Sequence, residues 1–339
     1  MNICVTGAAG HIGSALIRNI SLPGVEKVYL VDNLMTQRYA SLFNLPDGIN
    51  FDFREMDILS QDIRPIIRDC DVLIHLAAVT NAEASFHNAD MVEKVNKQGL
   101  EHVAEICAAE KCALLFPSST SVYGVSEGLV DETCSRADLK PQSPYADSKL
   151  FGEECLKTLA QKKGLRFVVF RLGTIFGYSI GMRFHTAVNK FIWQACLGQE
   201  LTVWKTALEQ KRPYCDLNDC VAAIKHAIKE DAFDGEIYNI LTANLTVSQV
   251  IDVIRKYIPD TAVKFVDSPI MNQLSYDVSP QKSIARGFVY KGSLDERVKE
   301  TIAQLKNLRF VSRPSSPNVS VGDPLSKMDS RQKRSGMTS

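Results

Sequence analysis

Short apolar runs alternate with longer stretches of helical spacing through the first half of the chain. Asn2 to Thr6 is an apolar run with a β-branched bias, which is typical of a buried parallel strand. Five further strands are predicted at Lys27 to Val31, Ile49 to Phe53, Asp71 to Leu76, Ala113 to Phe116 and Phe167 to Phe170. Helical spacing is clearest in Val92 to Ala109 and Tyr145 to Lys162. This order predicts an α/β fold, a doubly wound parallel sheet with helices on both faces.

The composition predicts an ample hydrophobic core and gives no sign of a charged partner. Of the 339 residues, 45% are hydrophobic and 23% are charged, and the formal net charge is zero. This balance gives no indication of nucleic acid or of an anionic membrane as a partner. No apolar run reaches the roughly 18 residues of a membrane span. The first strand begins at residue 2, so we expect no cleavable signal peptide.

Cysteine and histidine usage points to a reducing compartment and to no metal. None of the nine cysteines forms a C-x-x-C pair, and most fall in predicted strands or on apolar helix faces, where cysteine acts as a small hydrophobe. The six histidines do not cluster at metal-ligand spacings. We therefore expect a cytoplasmic protein without a bound metal.

A glycine-rich turn joins the first strand to the first helical stretch. Gly7, Gly10 and Gly13 follow the strand at a spacing of three and three. Glycines suit a tight turn whose backbone approaches a pyrophosphate and whose helix packs on the strand. The helix N-terminus then offers free N–H groups to the phosphates. The turn is a G-x-x-G-x-x-G variant of the dinucleotide fingerprint, and it predicts a Rossmann-type domain.

Asp32, at the end of the second predicted strand, lies where a carboxylate can accept hydrogen bonds from the adenosine ribose. It would repel a 2′-phosphate, so the sequence favours NAD over NADP. Arg38 keeps NADP open as the second possibility, and a solvated carboxylate at a strand end is the alternative for Asp32.

Tyr145 and Lys149 form a Tyr-x-x-x-Lys pair in the run SPYADSK. Residues one helical turn apart share a face, and a lysine ammonium there favours the phenolate form of the tyrosine. Because a free phenol has a pKa of about 10, it needs such help to act as a base at neutral pH. A pair on the surface of a helix is the alternative interpretation.

Together these motifs resemble the extended short-chain dehydrogenase/reductases, and within them the nucleotide-sugar epimerase/dehydratase group. The resemblance covers roughly residues 1–310. It rests on TGAAGHIG (6–13), Asp32-Asn33, Asp57-Ile58, HLAA (75–78), Asn96, SSTSVYG (118–124), YADSK (145–149) and RLGTIFG (171–177). The resemblance implies that this chain binds NAD and uses Tyr145 as general acid and base. Lys149 and Ser119 would be the other two catalytic residues. A homodimer paired through the helices near 90–110 and 145–162 is also implied.

The resemblance implies two sets of binding residues. The cofactor is expected to contact Gly7, Gly10, His11, Ile12, Gly13, Asp32, Asn33, Asp57, Ile58, Leu76, Ala77, Ala78, Asn96, Tyr145 and Lys149. The nucleotide sugar is expected to contact Ser119, Thr120, Thr174, Asn189 and Arg212, with the Arg212 guanidinium clamping the diphosphate. A solvated helix face is the alternative for Asn189 and its neighbour Lys190.

The second half of the chain is expected to select this substrate. We predict a Rossmann domain at 1–177 and a mainly substrate-binding lobe at 178–311, with some segments returning to the first domain. Residues 312–339 are rich in Ser, Pro and charged residues without apolar periodicity, which is typical of a disordered tail. A basic group at Arg331 to Arg334 fits a solvated tail or an anionic partner.

The predicted reaction is epimerisation through a transient keto sugar. Related 4,6-dehydratases carry Asp-Glu where this chain has Thr120 and Ser121, and neither side chain can replace a carboxylate acid or base. Thr174 stands where galactose-type epimerases usually have asparagine, so the sugar is left open. The alternatives are an NAD(P)H-dependent reductase of a nucleotide-linked keto sugar, another dehydratase, or a non-catalytic dinucleotide-binding protein.

Overall fold

The computed structural model describes residues 1–124, 128–267 and 275–305. The predicted tail at 312–339, with its basic group, lies outside these residues. The strands are β1 Asn2–Thr6, β2 Lys27–Asp32, β3 Asn50–Glu55, β4 Val72–His75, β5 Ala113–Ser119, β6 Leu129–Val130, β7 Phe167–Leu172, β8 Thr174–Phe176, β9 Leu201–Trp204, β10 Lys211–Asp216, β11 Ile237–Ile240, β12 Ala243–Thr246, β13 Val263–Val266 and β14 Asp277–Val278. The α-helices are α1 His11–Asn19, α2 Arg64–Arg68, α3 Ala89–Val92, α4 Gly99–Glu110, α5 Pro144–Lys163, α6 Ala187–Cys196, α7 Leu217–Lys229, α8 Val247–Tyr257, α9 Gln281–Ala285 and α10 Leu294–Leu305.

Seven strands form one parallel sheet in the order β11-β7-β5-β4-β1-β2-β3. The chain runs from β1 outwards to β3, then crosses back to β4 and continues in the opposite direction. This reversal between β1 and β4 is the point at which ligands bind in doubly wound sheets. The predicted α/β doubly wound fold is confirmed, and the six predicted strands match β1 to β5 and β7 with shifts of a few residues at their ends.

Both faces of the sheet are covered by helices, as the continuous apolar runs of its strands require. One core joins α1 and α7 to the sheet through residues such as Leu16 and Ile224. The other joins α2, α4 and α5 through residues such as Ile67, Val103 and Leu156. Thus α7 and β11, from the second half of the chain, pack on and extend the main sheet.

A third core lies outside the main sheet and joins α6, α8 and α10. Beside it β8, β10 and β12 form a small sheet, in which β10 pairs parallel with β8 and antiparallel with β12. The boundaries proposed for the two domains stay a prediction. None of the helices within the described ranges is both long enough and apolar enough to cross a membrane.

The structure contains the long helix predicted at Val92 to Ala109, but the helix starts earlier and is not continuously α-helical. The helical segment starts at Ala89, and Glu93–Gln98 forms a π-helical turn between α3 and α4. Asn96 lies in this turn and is buried, with its amide bonded to other parts of the fold. Such widened turns are often found at functional sites, and their position depends on tertiary bonds rather than on sequence spacing.

Candidate functional site

A cavity of about 650 Å³ lies among residues from both halves of the chain, at the carboxyl ends of the central strands. Thirteen of the predicted site residues line it: Gly7, Gly10, His11, Ile12, Gly13, Leu76, Ala78, Ser119, Thr120, Tyr145, Lys149, Thr174 and Arg212. Seven others do not line it: Asp32, Asn33, Asp57, Ile58, Ala77, Asn96 and Asn189.

The three glycines of the turn have different neighbours. Gly7 has φ +68°, and a Cβ there would lie 2.6 Å from the backbone of Leu76 and Ala77. A Cβ on Gly13 would lie 2.5 Å from the Gly7 carbonyl oxygen. A Cβ on Gly10 would meet only that same oxygen, at 3.1 Å. Gly7 and Gly13 are therefore required by the protein's own backbone, whereas Gly10 keeps space free on the cavity side. That space, beside the N-terminus of α1, fits the diphosphate of a dinucleotide.

Asp32 is the last residue of β2, and its side chain hydrogen-bonds the glycine turn. Its two carboxylate oxygens accept hydrogen bonds from the amides of Ala9 at 3.0 Å and Leu34 at 2.9 Å. A carboxylate offers about four acceptor positions, so capacity remains for ribose hydroxyls. Arg38 lines the cavity, where burial lowers its pKa and the charge of Asp32 opposes that change. The predicted ribose carboxylate and the arginine that kept NADP open thus lie close together.

Asn33, Asp57, Ile58 and Ala77, also predicted to contact the cofactor, make contacts within the protein and do not line the cavity. Asn33 reaches Asp57 with a long contact of 3.5 Å between the amide nitrogen and a carboxylate oxygen. Ile58 is buried and lies against Gly99. The amide of Ala77 donates to the Thr6 hydroxyl at 3.3 Å.

Asn96 joins two segments of the fold through one side chain. Its amide oxygen accepts from the Val79 N–H at 2.8 Å, and its nitrogen donates to the Val79 carbonyl at 2.9 Å and the Ser148 hydroxyl at 3.0 Å. The loop after β4 is thereby tied to α5 next to Lys149. The structure gives Asn96 contacts within the protein, and its predicted contact with the cofactor stays a prediction.

Ser119 and Tyr145 both line the cavity. Ser119 ends β5, and its side chain hydrogen-bonds the Tyr145 hydroxyl. α5 begins one residue before Tyr145, capped by the Ser143 hydroxyl, which accepts from the Ala146 amide at 3.1 Å. Burial raises the pKa of Tyr145, while the positive charge of Arg183 and the hydrogen bond from Ser119 oppose the change.

Lys149 lies one turn further along α5 and is buried. Its Nζ donates to the Pro117 carbonyl at 2.8 Å and lies 5.8 Å from the centre of the Tyr145 ring. Burial lowers the pKa of Lys149 to about 7; the charge of Arg183 lowers it further and that of Glu153 raises it. The two predicted catalytic side chains share one face, as expected, and the charge of Arg183 also acts on Tyr145.

Four residues predicted to bind the nucleotide sugar, besides Ser119, are found on other elements of the fold. Thr174 and Arg212 lie on β8 and β10 and line the cavity. Thr120 is buried and donates to the Leu172 carbonyl at 3.3 Å. Asn189 is fully buried, accepts from the Gly177 amide at 3.2 Å and donates to the Arg183 carbonyl at 3.1 Å. Because Asn189 is fully buried and does not line the cavity, contact with a substrate would require the residues around it to move, whereas Lys190 next to it lines the cavity.

A loop between β8 and α6 closes one side of the cavity and packs on the glycine turn. The His11 Nε2 donates to the Gly177 carbonyl at 2.9 Å, and the Ser14 hydroxyl accepts from the Gly181 amide at 3.0 Å. A Cβ on Gly181 would lie 2.4 Å from the Ala9 carbonyl oxygen. The glycine turn and this loop are therefore one packed unit.

Arg183 lies on this loop, and no sequence motif assigns it a role. It lines the cavity together with Thr80, and its Nη1 donates to the Thr80 hydroxyl. A single arginine in a loop is normally solvated, so the sequence alone carries no signal for it. Only the packing of the loop brings Arg183 to the cavity, where its charge acts on Tyr145.

Comparisons with known proteins agree with this geometry. The model of the NAD dependent epimerase/dehydratase family matches residues 3–240. An uncharacterised UDP-glucose epimerase of Bacillus subtilis is 30% identical over 249 residues, which cover 71% of this chain and 76% of that protein. A UDP-glucuronic acid 4-epimerase from Bacillus cereus, solved with UDP-glucuronic acid and NAD, is 25% identical with a TM-score of 0.83, covering 91% of this chain and 100% of that one. The fold of a Thermus thermophilus UDP-glucose 4-epimerase, solved with NAD, is also similar, at 24% identity and a TM-score of 0.76, covering 91% and 99%.

Proposed function

Because this chain belongs to the NAD dependent epimerase/dehydratase family, we propose that it is an NAD-dependent nucleotide-sugar epimerase of the UDP-hexose 4-epimerase type. Membership confirms the family resemblance predicted from the sequence, and NAD is the cofactor of this family. The choice of epimerisation within the family rests on the residues around Tyr145. The predicted homodimer and cytoplasmic location stay predictions.

The observation that carries the proposal is a row of three hydroxyls beside Tyr145. Ser119, Thr120 and Ser121 follow one another at the end of β5, and all three line the cavity. Dehydration of a keto sugar requires an acid and a base next to the oxidised carbon. An aliphatic hydroxyl does neither task at neutral pH, whereas it can hold a sugar hydroxyl in place. This set supports oxidation and reduction at one carbon without elimination at its neighbour.

The residues of the chain have separable tasks in this reaction. Ser119 orients the sugar hydroxyl by hydrogen bonding, and Tyr145 takes its proton and later returns it. Bound NAD+ would accept a hydride from the carbon that carries this hydroxyl and give it back. Because burial opposes ionisation of Tyr145, the phenolate needs nearby positive charge, which Arg183 and Lys149 supply. Arg212 would hold the diphosphate while the keto sugar turns.

Tyr145→Phe tests the assigned acid and base. Turnover should fall by about a hundredfold to ten-thousandfold, which is the usual contribution of general acid–base catalysis. NAD should remain bound, because only the hydroxyl is lost. The matched control is Tyr178→Phe, an exposed tyrosine outside the cavity, which should keep wild-type turnover. Unchanged turnover in Tyr145→Phe would show that another group is the base.

Product analysis separates epimerisation from the other reactions. A panel of UDP-, GDP-, CDP- and dTDP-sugars, deuterated at the reacting carbon, would be followed by NMR. An epimerase returns the label to the same carbon and consumes no added NADH. A 4-keto-6-deoxy product would refute the argument from Thr120 and Ser121, and net consumption of NAD(P)H would identify a reductase.

A further inference from the structure

Glu153 is a buried carboxylate on α5 to which the proposed mechanism gives no task. Its side chain is 2% exposed and does not line the cavity. Its Oε1 accepts from the Ser118 hydroxyl at 2.5 Å and from Arg171 Nε at 3.0 Å, and its Oε2 accepts from Arg171 Nη2 at 2.7 Å. Well-packed apolar side chains often stabilise a protein as much as a buried ion pair does. Stability alone therefore does not explain why a charged pair lies here.

The hydrogen bond to Ser118 fixes the backbone that Lys149 contacts. Ser118 follows Pro117, whose carbonyl accepts from Lys149 Nζ at 2.8 Å. It precedes Ser119, which is expected to orient the sugar hydroxyl. All three residues lie at the end of β5. Because Glu153 holds the Ser118 hydroxyl, it fixes the peptide groups on both sides of this residue relative to α5.

Arg171 extends the arrangement to β7. Leu172, the residue after it, accepts a hydrogen bond from the Thr120 hydroxyl through its carbonyl at 3.3 Å. The guanidinium carbon of Arg171 lies 4.8 Å from the centre of the Tyr123 ring. Glu153 therefore joins α5 to β5 and β7 next to residues that line the cavity.

Glu153 is also a negative charge one helical turn from Lys149. Residues four apart on a helix have Cβ atoms about 5–6 Å apart, close enough for opposite charges to interact. Burial lowers the pKa of Lys149 to about 7; the charge of Arg183 lowers it further, and that of Glu153 raises it. The Tyr145 ring lies 5.8 Å from Nζ, and the charge of Lys149 adds to burial in lowering the pKa of His75 to about 3. Glu153 is thus a negative charge that helps the buried lysine to keep its proton.

We propose that Glu153 is a positioning residue of the acid–base pair, which holds Lys149 in place and keeps its ammonium charged. The inference rests on the proposed function, because it takes a charged Lys149 to favour the phenolate of Tyr145. Arg171 and Ser118 supply the hydrogen bonds that allow a buried carboxylate to stay charged. Because Glu153 does not line the cavity, its effect on the reaction passes through Lys149.

The test measures the protonation of Lys149 directly and needs no substrate. The NAD-loaded protein, with isotope-labelled lysine, would be titrated by NMR, and the Lys149 signal would be assigned by its loss in Lys149→Arg. In Glu153→Gln the midpoint for loss of the proton should fall by about one pH unit, because a nearby negative charge is removed. Glu153→Asp keeps the charge and should return the midpoint towards that of the wild type. Glu154→Gln, at an exposed position on the same helix, is the matched control and should leave it unchanged.

The pH dependence of turnover separates this role from a purely structural one. Activity is lost on the alkaline side as Lys149 loses its proton, so the alkaline limb of the pH–rate profile should move to lower pH in Glu153→Gln. An unchanged midpoint would overturn the proposal. A fall in turnover by the same factor at every pH would also overturn it, because that is the result expected of a residue that only supports the fold.

A double variant decides the question if Glu153→Gln does not fold. Glu153→Gln combined with Arg171→Met removes both buried charges together, which proteins tolerate better than the loss of one, and the glutamine can still accept from Ser118. The midpoint should fall here too, since Glu153 is the member of the pair whose charge acts on Lys149; an unchanged midpoint would again overturn the proposal. A lowered midpoint without epimerisation would refute only the proposed reaction. Epimerisation with an unmoved midpoint would refute only this inference.

Discussion

At the scale of single residues, Gly10 and Gly13 offer a matched test of the cofactor turn. Gly13→Ala should destabilise the fold, because the new Cβ would lie 2.5 Å from the Gly7 carbonyl oxygen and the backbone would have to shift. Gly10→Ala should weaken NAD binding more than it changes the stability of the cofactor-free protein. Thermal unfolding with and without NAD separates the two effects. Equal effects of both substitutions on NAD binding and on stability would contradict the assignment.

Site residues that belong to short sequence motifs could be predicted from the sequence. The glycine turn, Asp32 and the Tyr145–Lys149 pair each depend on a few neighbouring positions, and the structure brings all of them to one cavity or its edge. Asn96 and Arg183 depend on distant partners. Asn96 bonds to Val79 and Ser148, and Arg183 to Thr80, across separations of 17 to 103 residues. Spacing along the chain contains no information about such pairs.

At the scale of elements, α5 carries Tyr145 and Lys149 and is held on the sheet by a buried ion pair. Glu153 of α5 accepts from Arg171 of β7 at 2.7 and 3.0 Å, and it also accepts from Ser118 of β5. Glu153→Gln should lower the free energy of unfolding by about 3–5 kcal/mol, because the Arg171 charge stays buried without its partner. Denaturant unfolding measures this change.

The control for this prediction is the next residue on the same helix. Glu154 pairs with Arg136 at the surface, where both side chains are about half exposed. Glu154→Gln should therefore cost less than about 1 kcal/mol. A similar loss in both variants would mean that the Glu153–Arg171 pair does not hold α5 in place.

The elements that sequence reasoning placed least well are those that owe their form to distant partners. β8, β9, β12 and β13 have only three or four residues each, too few to show alternation. β11 belongs to the main sheet only because it pairs with β7. The π-helical turn at Glu93–Gln98 interrupts a stretch whose spacing predicts one continuous helix. By contrast, long apolar strands such as β5 and β7 are visible from composition alone.

At the scale of the whole molecule, the glycine turn and the β8–α6 loop pack against each other. The turn belongs to the first strand and helix, and the loop carries Gly181 and Arg183 from the second half of the chain. A ligand that contacts both would stabilise both. Because NAD is expected to lie against the turn, its binding should raise the stability of the described fold rather than order one loop only.

Removal of the cofactor tests this coupling. The purified protein, once denatured, should release near-stoichiometric NAD+ or NADH, identified by mass spectrometry, because an epimerase recycles a retained cofactor. The cofactor-stripped protein should unfold several degrees lower, since a ligand at a hundred times its dissociation constant contributes about 2.7 kcal/mol. Added NAD should restore the melting temperature and NADP should do so less, because Asp32 would repel a 2′-phosphate. If the protein is purified without NAD, and NADPH raises its melting temperature more than NAD does, the result would instead favour a reductase. Asp32 would then not be the ribose ligand.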